Sequence, residues 1–252
     1  MDLKLAFTDK EITPWSGIVF MKKLLDRTGI LSRLAGPDLP GQASNRGYDP
    51  IQLITCFMVS IWCGANRFEH LEVSRFDQVL RRIFGYKRMA GHKAYQRYFR
   101  KFNIAINQRM FTKLSEWFFN QIKLDNCTLD VDSTVLTRYG NQQGALRGYN
   151  PNKPGRNSHH PLLAFVDECK MVANFWLRSG NAYTTNNFLS FLEDTMARLK
   201  GKKVSLLRAD SGFYSKEIFD YVEKKGINYI IVARHYGTGP KEDCPPQRLV
   251  AA

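Results

Sequence analysis

The sequence has few acidic residues for its size and no long apolar run. Its 252 residues include 23 Asp and Glu against 37 Lys and Arg, which gives a formal charge of +14. The most apolar stretch, residues 51–63, is too short to span a bilayer, and the N-terminus has no signal-peptide pattern. These features predict a cytoplasmic protein without a membrane partner. The charge argues against an enzyme of small neutral substrates and favours a polyanion such as nucleic acid.

The five cysteines are too dispersed for a zinc site or a disulfide framework, since none forms a C-x-x-C pair. Nucleophile and nucleotide motifs are also absent, because the chain has no G-x-S-x-G, P-loop or G-x-G-x-x-G sequence. An apolar content of 44% is nevertheless enough to bury a core. A folded chain of one or two domains is therefore expected.

Apolar residues recur at helical spacing in the first half, which predicts an all-helical domain over residues 1–125. This half carries 20 basic and 11 acidic groups. Asp49 and Pro50 are a typical helix start, and the apolar run over residues 51–63 is followed by Gly64 as a stop. Further helices are expected over residues 17–25, 76–84, 94–102 and 106–122.

The second half, from residue 126, alternates short apolar runs with helical ones. The order of three strands, helix, strand, helix and strand predicts an α/β domain up to residue 234, with a mixed β-sheet and flanking helices. Residues 235–252 have no periodicity and are expected to form an irregular tail. Predicted strands cover residues 127–136, 161–166, 171–178, 204–208 and 229–233, and predicted helices cover 186–199 and 216–225.

A block of positive charge lies in the helical half. Residues 81–101 contain eight basic side chains and no acidic one, with aromatic residues between them. In a helix over residues 94–102, Arg97, Arg100 and Lys101 share one face, because they lie three and four positions apart. Such a face is suited to phosphate contacts, so we interpret these residues as DNA-binding. The alternative is a solvated helix face.

Acidic residues occur where two predicted strands of the second half end. Asp130 and Asp132 lie two positions apart and therefore project from the same side of their strand. Asp210 follows the strand over residues 204–208. Carboxylates that meet at a sheet edge form an oxygen site suited to Mg²⁺ or Mn²⁺, which catalyse phosphodiester cleavage. The alternative is that each aspartate only caps its own turn, and the spacing does not decide between the two.

A basic, turn-rich loop separates these acidic segments. It covers residues 147–161 and includes Arg147, Lys153, Arg156 and two histidines. A loop of this charge beside a metal site could hold a phosphate backbone against the metals. A mobile surface connection is the alternative.

Three motifs occur together and in a fixed order in the second half. They are Leu-Asp-Val-Asp-Ser-Thr at residues 129–134, Arg-Gly-Tyr-Asn-Pro with Gly-Arg and His-His-Pro-Leu-Leu-Ala-Phe within residues 147–165, and Leu-Arg-Ala-Asp-Ser-Gly-Phe-Tyr at residues 207–214. This set resembles that of bacterial insertion-sequence transposases of the DDE group 1 type. The resemblance covers nearly the whole chain, to about Arg234.

The resemblance implies a DNA transposase that cuts transposon ends by metal-dependent hydrolysis and then directs the freed 3′-hydroxyl to attack a phosphodiester of target DNA. It implies a ribonuclease-H-like core over residues 126–234 and a helical N-terminal DNA-binding domain. Asp132 and Asp210 match the first two catalytic carboxylates, which would bind Mg²⁺ or Mn²⁺, and Asp130 is an outside candidate. Arg147, Arg156 and His160 are expected near the DNA path. The implied partners are double-stranded DNA and, on DNA, a second copy of the chain at the nucleoid.

The chain departs from the family pattern at the third catalytic acid, which is usually a Glu on a later helix. The late acids, Glu242 and Asp243, lie in a Pro- and Gly-rich stretch without a helix pattern, so neither is assigned this role. A C-terminally truncated copy with weak or no cleavage is therefore expected. The alternative function is a non-catalytic DNA-binding remnant that occupies transposon ends. An unrelated ribonuclease-H-like nuclease fits the acids but not the set of motifs.

Overall fold

The computed structural model describes residues 8–35, 39–42 and 44–233. The chain divides into two compact units between Leu114 and Ser115. The predicted domain boundary near residues 124–126 falls between the helix that contains this division and the first strand of the second unit. The predicted tail, residues 235–252, lies outside the described residues.

The first unit is helical, as its sequence periodicity predicts. At the start of its most apolar helix, the Asp49 side chain accepts a hydrogen bond from the Gln52 backbone N–H at 3.0 Å, and Pro50 takes the first helical position. No helix in the described part of the chain has the length and hydropathy of a membrane span. The helices are α1 (Ile18–Thr28), α2 (Ile30–Leu34), α3 (Pro50–Trp62), α4 (Leu71–Arg75), α5 (Gln78–Ile83), α6 (His92–Phe99) and α7 (Ile104–Gln121), the last of which contains the division.

Two of these helices and one helix end differ from the sequence prediction. The short helices α2 and α4 were not predicted, because five residues are too few to show a helical period. Helix α6 ends at Phe99, so Arg100 and Lys101 lie just beyond it and not within a helix over residues 94–102. The predicted common helix face is therefore wrong beyond Phe99.

Helix α6 packs its aromatic side against the core of the first unit. Tyr95 is 1% exposed, and its ring centroid lies 6.0 Å from that of Phe57. Phe99 packs edge-on against the same Phe57 ring, with centroids 4.9 Å apart. Because these aromatic residues face inward, Arg97 and Arg100 are left exposed to solvent.

The carboxylate of Glu72 holds the start of α6. Its Oε1 accepts a hydrogen bond from the His92 backbone N–H at 2.8 Å, and Arg75 donates to its Oε2 at 2.7 Å. Partial burial raises the pKa of Glu72, but the donors from His92 and Arg75 outweigh it and lower the pKa to about 2. The residue before the helix, Gly91, offers no capping side chain, so Glu72 satisfies the first helical N–H in its place.

We expect Glu72→Gln to lower the free energy of unfolding by about 1 to 2 kcal/mol at neutral pH. The folded-state pKa lies below the unfolded value of about 4.3. The carboxylate therefore stabilises the fold fully above that pH and loses its effect as the pH falls through about 2. Thermal unfolding of the variant should show a shallower loss of stability in this acid range. Asp26→Asn removes an exposed pair with Lys22 and is the control, with an expected change below about 1 kcal/mol. Parallel curves for Glu72→Gln and wild type would contradict the pKa assignment.

The second unit is built on a mixed β-sheet. Among the described residues its strand order is β6-β5-β1-β7-β8, in which β1 runs antiparallel to β5 and parallel to β7. The predicted mixed sheet with flanking helices is confirmed. The strands are β1 (Asn126–Ser133), β2 (Leu136–Thr137), β3 (Leu146–Arg147), β4 (Asn157–His159), β5 (Leu162–Val166), β6 (Met171–Trp176), β7 (Lys203–Ala209) and β8 (Asn228–Ile231), and the helices are α8 (Phe188–Arg198) and α9 (Lys216–Lys224).

One face of β1 forms the centre of the core. Leu129 and Val131 are buried, whereas Asp130 and Asp132 alternate with them and project from the other face. The buried residues of α8 and α9, such as Phe191, belong to the same core cluster. Asp130 and Asp132 are therefore carried on the central strand of the sheet.

A small three-stranded sheet flanks the turns of the region that the sequence predicts as a loop over residues 147–161. Strand β4 pairs antiparallel with both β2 and β3, in the order β2-β4-β3. The predicted strand over residues 127–136 is interrupted after Ser133, and β2 begins at Leu136. Residues 148–156 form turns, as predicted, but strand β4 was missed, because strands of two or three residues are too short to show an alternating pattern.

Candidate active site

Asp132 and Asp210 lie at the carboxyl ends of two neighbouring parallel strands. In the ladder between β1 and β7, Val131 pairs with Ala209, so each aspartate is the next residue on its strand. Neighbouring strands are about 4.8 Å apart, and the carboxyl ends of parallel strands meet at one sheet edge. Both side chains are exposed. The fold thus brings together the two residues that the sequence motifs single out.

Each of these carboxylates is oriented by a backbone N–H of its own turn. The Oδ1 of Asp132 accepts from Ser133 at 2.7 Å, and the Oδ1 of Asp210 accepts from Gly212 at 2.9 Å. Turn capping, the alternative role for these residues, is therefore present. It leaves the Oδ2 of each carboxylate without a hydrogen-bond donor among the described residues, so capping does not prevent metal binding.

The two carboxylates fit a small divalent cation. Carboxylate oxygens are the ligands that Mg²⁺ and Mn²⁺ prefer, and Mg²⁺ commonly uses one or two protein carboxylates while keeping several waters. Within the described ranges there is no cluster of three His, Cys, Asp or Glu side chains that could hold a metal. Glu242 and Asp243 lie outside those ranges. In the described part, Asp132 and Asp210 are thus a pair of carboxylates and not part of such a cluster.

Asp130 lies on the same strand face but is engaged in an ion pair. Arg208 donates from Nε to one oxygen of Asp130 at 2.5 Å and from Nη2 to the other at 2.7 Å. The same Nη2 lies 3.2 Å from an oxygen of Asp167. The hydrogen bonds that Arg208 donates to the Asp130 carboxylate raise the pKa of the guanidinium. Because both oxygens of Asp130 are occupied, this geometry argues against its role as a catalytic ligand.

His160 lies inside the protein behind Asp132. The residue is 6% exposed, with Nδ1 at 2.6 Å from the carbonyl oxygen of Ala182 and Nε2 at 3.2 Å from Oγ of Ser133. A carbonyl can only accept, so Nδ1 carries the hydrogen and Nε2 accepts from the Ser133 hydroxyl. The sequence interpretation puts His160 near the DNA path. Its ring instead fixes the residue that follows Asp132.

Arg147 and Arg156, in and next to the small sheet, are on the surface. Arg147, in β3, is exposed. Arg156 is also exposed, and its guanidinium lies 5.8 Å from the ring centroid of Tyr139. Strand β4 leads directly into His160, which contacts Ser133, so this sheet is tied to the carboxyl end of β1. Arg147 and Arg156 therefore belong to the same unit as the aspartates.

The basic residues in and just after the last turn of α6 belong to the first unit. Arg97 and Arg100 are exposed, and no carboxylate in the described part of the chain forms an ion pair with them. Lys101 donates to the carbonyl oxygen of Gly41 at 2.7 Å. Two exposed guanidinium groups that have no counter-ion among the described residues form a surface that can accept phosphates.

Two further arginines near the aspartates were not singled out from sequence. Arg208 neutralises Asp130, and the available signal was its position two residues before Asp210. Arg178 is buried against main-chain carbonyls, and no pattern in the sequence marks it.

The family model of the transposase DDE domain group 1 matches residues 1–235. The chain belongs to this family. The family predicted from the three motifs is confirmed. No curated protein matches this DDE-family chain.

Solved structures of transposases are similar to this DDE-family chain. A piggyBac transposase synaptic complex with hairpin DNA is 16% identical, with a TM-score of 0.46 over 90% of this chain and 52% of that one. A Mos1 mariner paired end complex with Mn is 11% identical, with a TM-score of 0.30 over 82% and 66%. The Drosophila P element transposase strand transfer complex is 11% identical, with a TM-score of 0.23 over 55% and 33%. The chain thus spans about half the length of the piggyBac transposase.

Proposed function

We propose that this chain is the DNA transposase of an insertion sequence. It binds transposon ends, cleaves a phosphodiester there by metal-dependent hydrolysis, and directs a 3′-hydroxyl onto target DNA. The observation that carries the proposal is the placement of Asp132 and Asp210 at adjacent carboxyl ends of parallel strands, in a chain of the DDE family.

In this proposal Asp132 and Asp210 hold Mg²⁺ or Mn²⁺. The cation supplies activation of a water or 3′-hydroxyl and stabilises the leaving oxygen. The N–H groups of Ser133 and Gly212 orient the carboxylates. Arg208 compensates the charge of Asp130, so the neighbouring acid adds little repulsion to the ligand pair.

DNA contact is proposed for exposed basic residues of both units. Arg97, Arg100 and Lys101 are proposed for the helical unit, and Arg147 and Arg156 for the unit with the aspartates. The formal charge of +14 supports attraction to DNA. Because an element has two ends, we propose that two copies of the chain act together on DNA, at the nucleoid.

The triple variant Arg97→Gln, Arg100→Gln, Lys101→Gln should bind DNA more weakly and with a shallower dependence on salt. Each lost phosphate contact reduces the slope of log K against log salt by about one unit. Fluorescence anisotropy across a salt series measures this slope. The control removes three exposed lysines of the second unit, Lys216, Lys224 and Lys225, and should leave the slope within about half a unit. Unchanged affinity and slope in the first variant would refute the proposed contacts.

A strand-cleavage assay tests the proposed reaction. The chain is incubated with labelled DNA that carries the flanking element ends, with Mg²⁺, Mn²⁺ or neither. Metal-dependent nicks at the element boundary support the transposase. Retained end binding without cleavage in either metal favours the alternative, a non-catalytic DNA-binding protein that occupies transposon ends. Loss of both binding and cleavage contradicts both functions.

A further inference from the structure

Arg178 is a buried arginine that no carboxylate of the described residues neutralises. The residue is 9% exposed, and the hydrogen-bond acceptors of its side chain in the described part are main-chain carbonyls. Its Nε donates to the carbonyl oxygen of His160 at 3.0 Å, and its Nη2 has no partner in the described part. Nη1 faces the carbonyl oxygens of Tyr183, Thr184 and Asn186 at 3.0, 3.3 and 2.7 Å.

This arrangement is costly in free energy and therefore needs a physical reason. Burial lowers the pKa of Arg178, because the charged form loses hydration. An apolar side chain of similar size would avoid this loss. An apolar side chain, however, has no donor for these carbonyls. A guanidinium has five N–H donors in a planar, fixed arrangement and can bind several carbonyl oxygens at once. Arg178 therefore sets the backbone path of residues 182–186.

The segment over residues 182–186 contacts the turns of both aspartates. The Oγ1 of Thr184 lies 3.3 Å from Oγ of Ser133, and the carbonyl of Ala182 accepts from His160. A Cβ placed on Gly212 would lie 3.2 Å from the methyl and from the hydroxyl of Thr184, so the Gly212 backbone lies close against this side chain. Thr184 thus touches the turn at the end of each strand.

Ser133 and Gly212 are the residues whose N–H groups bind the two carboxylates. We propose that Arg178 is a positioning residue that, through residues 182–186, fixes the orientation of Asp132 and Asp210. The role of the two carboxylates as metal ligands rests on the proposed function. The effect of Arg178 on their turns does not, and this allows the two ideas to be tested separately.

Hydrogen exchange of the full-length chain tests the positioning role directly. Arg178→Met removes the donors, and Arg178→Lys keeps the charge but has no planar fork to bind carbonyls on both sides. Relative to peptides of α9, amides in residues 131–134, 182–186 and 211–213 should exchange at least tenfold faster in both variants. Arg198→Met is the matched control, because it removes another arginine of low exposure, whose Nε donates to Asp194 at 3.1 Å. It should lower stability without this local effect.

A titration with Mn²⁺ alone, followed by electron paramagnetic resonance, tests the consequence for the carboxylates. Arg178→Met and Arg178→Lys should each weaken Mn²⁺ binding at least tenfold, whereas Arg198→Met should not.

Wild-type binding in Arg178→Lys would mean that only the charge matters and would overturn the proposal. Unchanged exchange in the three segments, or faster exchange with unchanged Mn²⁺ binding, would also overturn it. If the wild-type chain binds no Mn²⁺, the proposed function fails, and exchange at residues 131–134 and 211–213 alone decides whether Arg178 orders the two turns.

Discussion

Replacement of Asp132 or Asp210 by asparagine is expected to lower the rate of metal-dependent strand cleavage by roughly 10³-fold or more. Loss of a residue that only supports a metal ligand costs about 10- to 100-fold, and loss of a ligand should cost more. Asparagine keeps the size of the side chain and one oxygen, but it lacks the negative charge that a hard cation requires. The measurement is single-turnover cleavage of labelled element ends in Mn²⁺, with DNA affinity determined at the same salt concentration.

Asp130→Asn is the matched control for these substitutions. Asp130 lies on the same strand and the same face as Asp132, but both its oxygens are bound by Arg208. This partly exposed pair contributes at most about 1 kcal/mol to stability. We expect Asp130→Asn to keep most of the cleavage rate and of the Mn²⁺ affinity. An equal loss of cleavage in Asp130→Asn and Asp132→Asn would show that the two carboxylates are not distinguished by Arg208.

The main sheet and its helices could be predicted because each of their longer elements has an apolar periodicity that is visible within its own segment. Strand β1 alternates buried and outward residues over eight positions, and α8 and α9 show helical periodicity over 11 and 9 residues. The small sheet β2-β4-β3 has no such pattern. Its strands have two or three residues and depend on pairing between segments that are distant in sequence. Their formation is therefore decided by tertiary contacts.

The same distinction holds for the candidate site. Asp132 and Asp210 could be selected as candidates from the sequence, because both lie near strand ends and in motifs of a known family. The role of Arg208 depends on its pairing with Asp130, 78 positions earlier, and that register cannot be read from either segment alone. His160 has a residue type that suits a surface or an interior equally well. Only the packing of Ala182 and Ser133 around its ring determines which applies.

Two glycines lie where the backbone of the small sheet comes very close to the segment that follows Arg178. A Cβ on Gly148 would lie 1.9 Å from the carbonyl oxygen of Gly180. A Cβ on Gly180 would lie 2.3 Å from the carbonyl oxygen of Leu146 and 2.4 Å from that of Ser158. These neighbours are backbone atoms and cannot rotate away. The absence of a side chain is thus what allows β3 and β4 to approach this segment.

Gly180→Ala is expected to destabilise the second unit by roughly 3 kcal/mol or more, because the backbone must separate to accept the methyl group. Chemical denaturation measures this change. Gly140→Ala, in the same region, is the control, since its Cβ would meet only the end of the Gln142 side chain at 3.3 Å; its expected change is below about 1 kcal/mol. Equal stability of Gly180→Ala and wild type would mean that the close approach is not maintained in solution. Because Gly180 follows Arg178 by two residues, partial unfolding here should also disturb residues 182–186, and cleavage should fall even at temperatures where the rest of the unit stays folded.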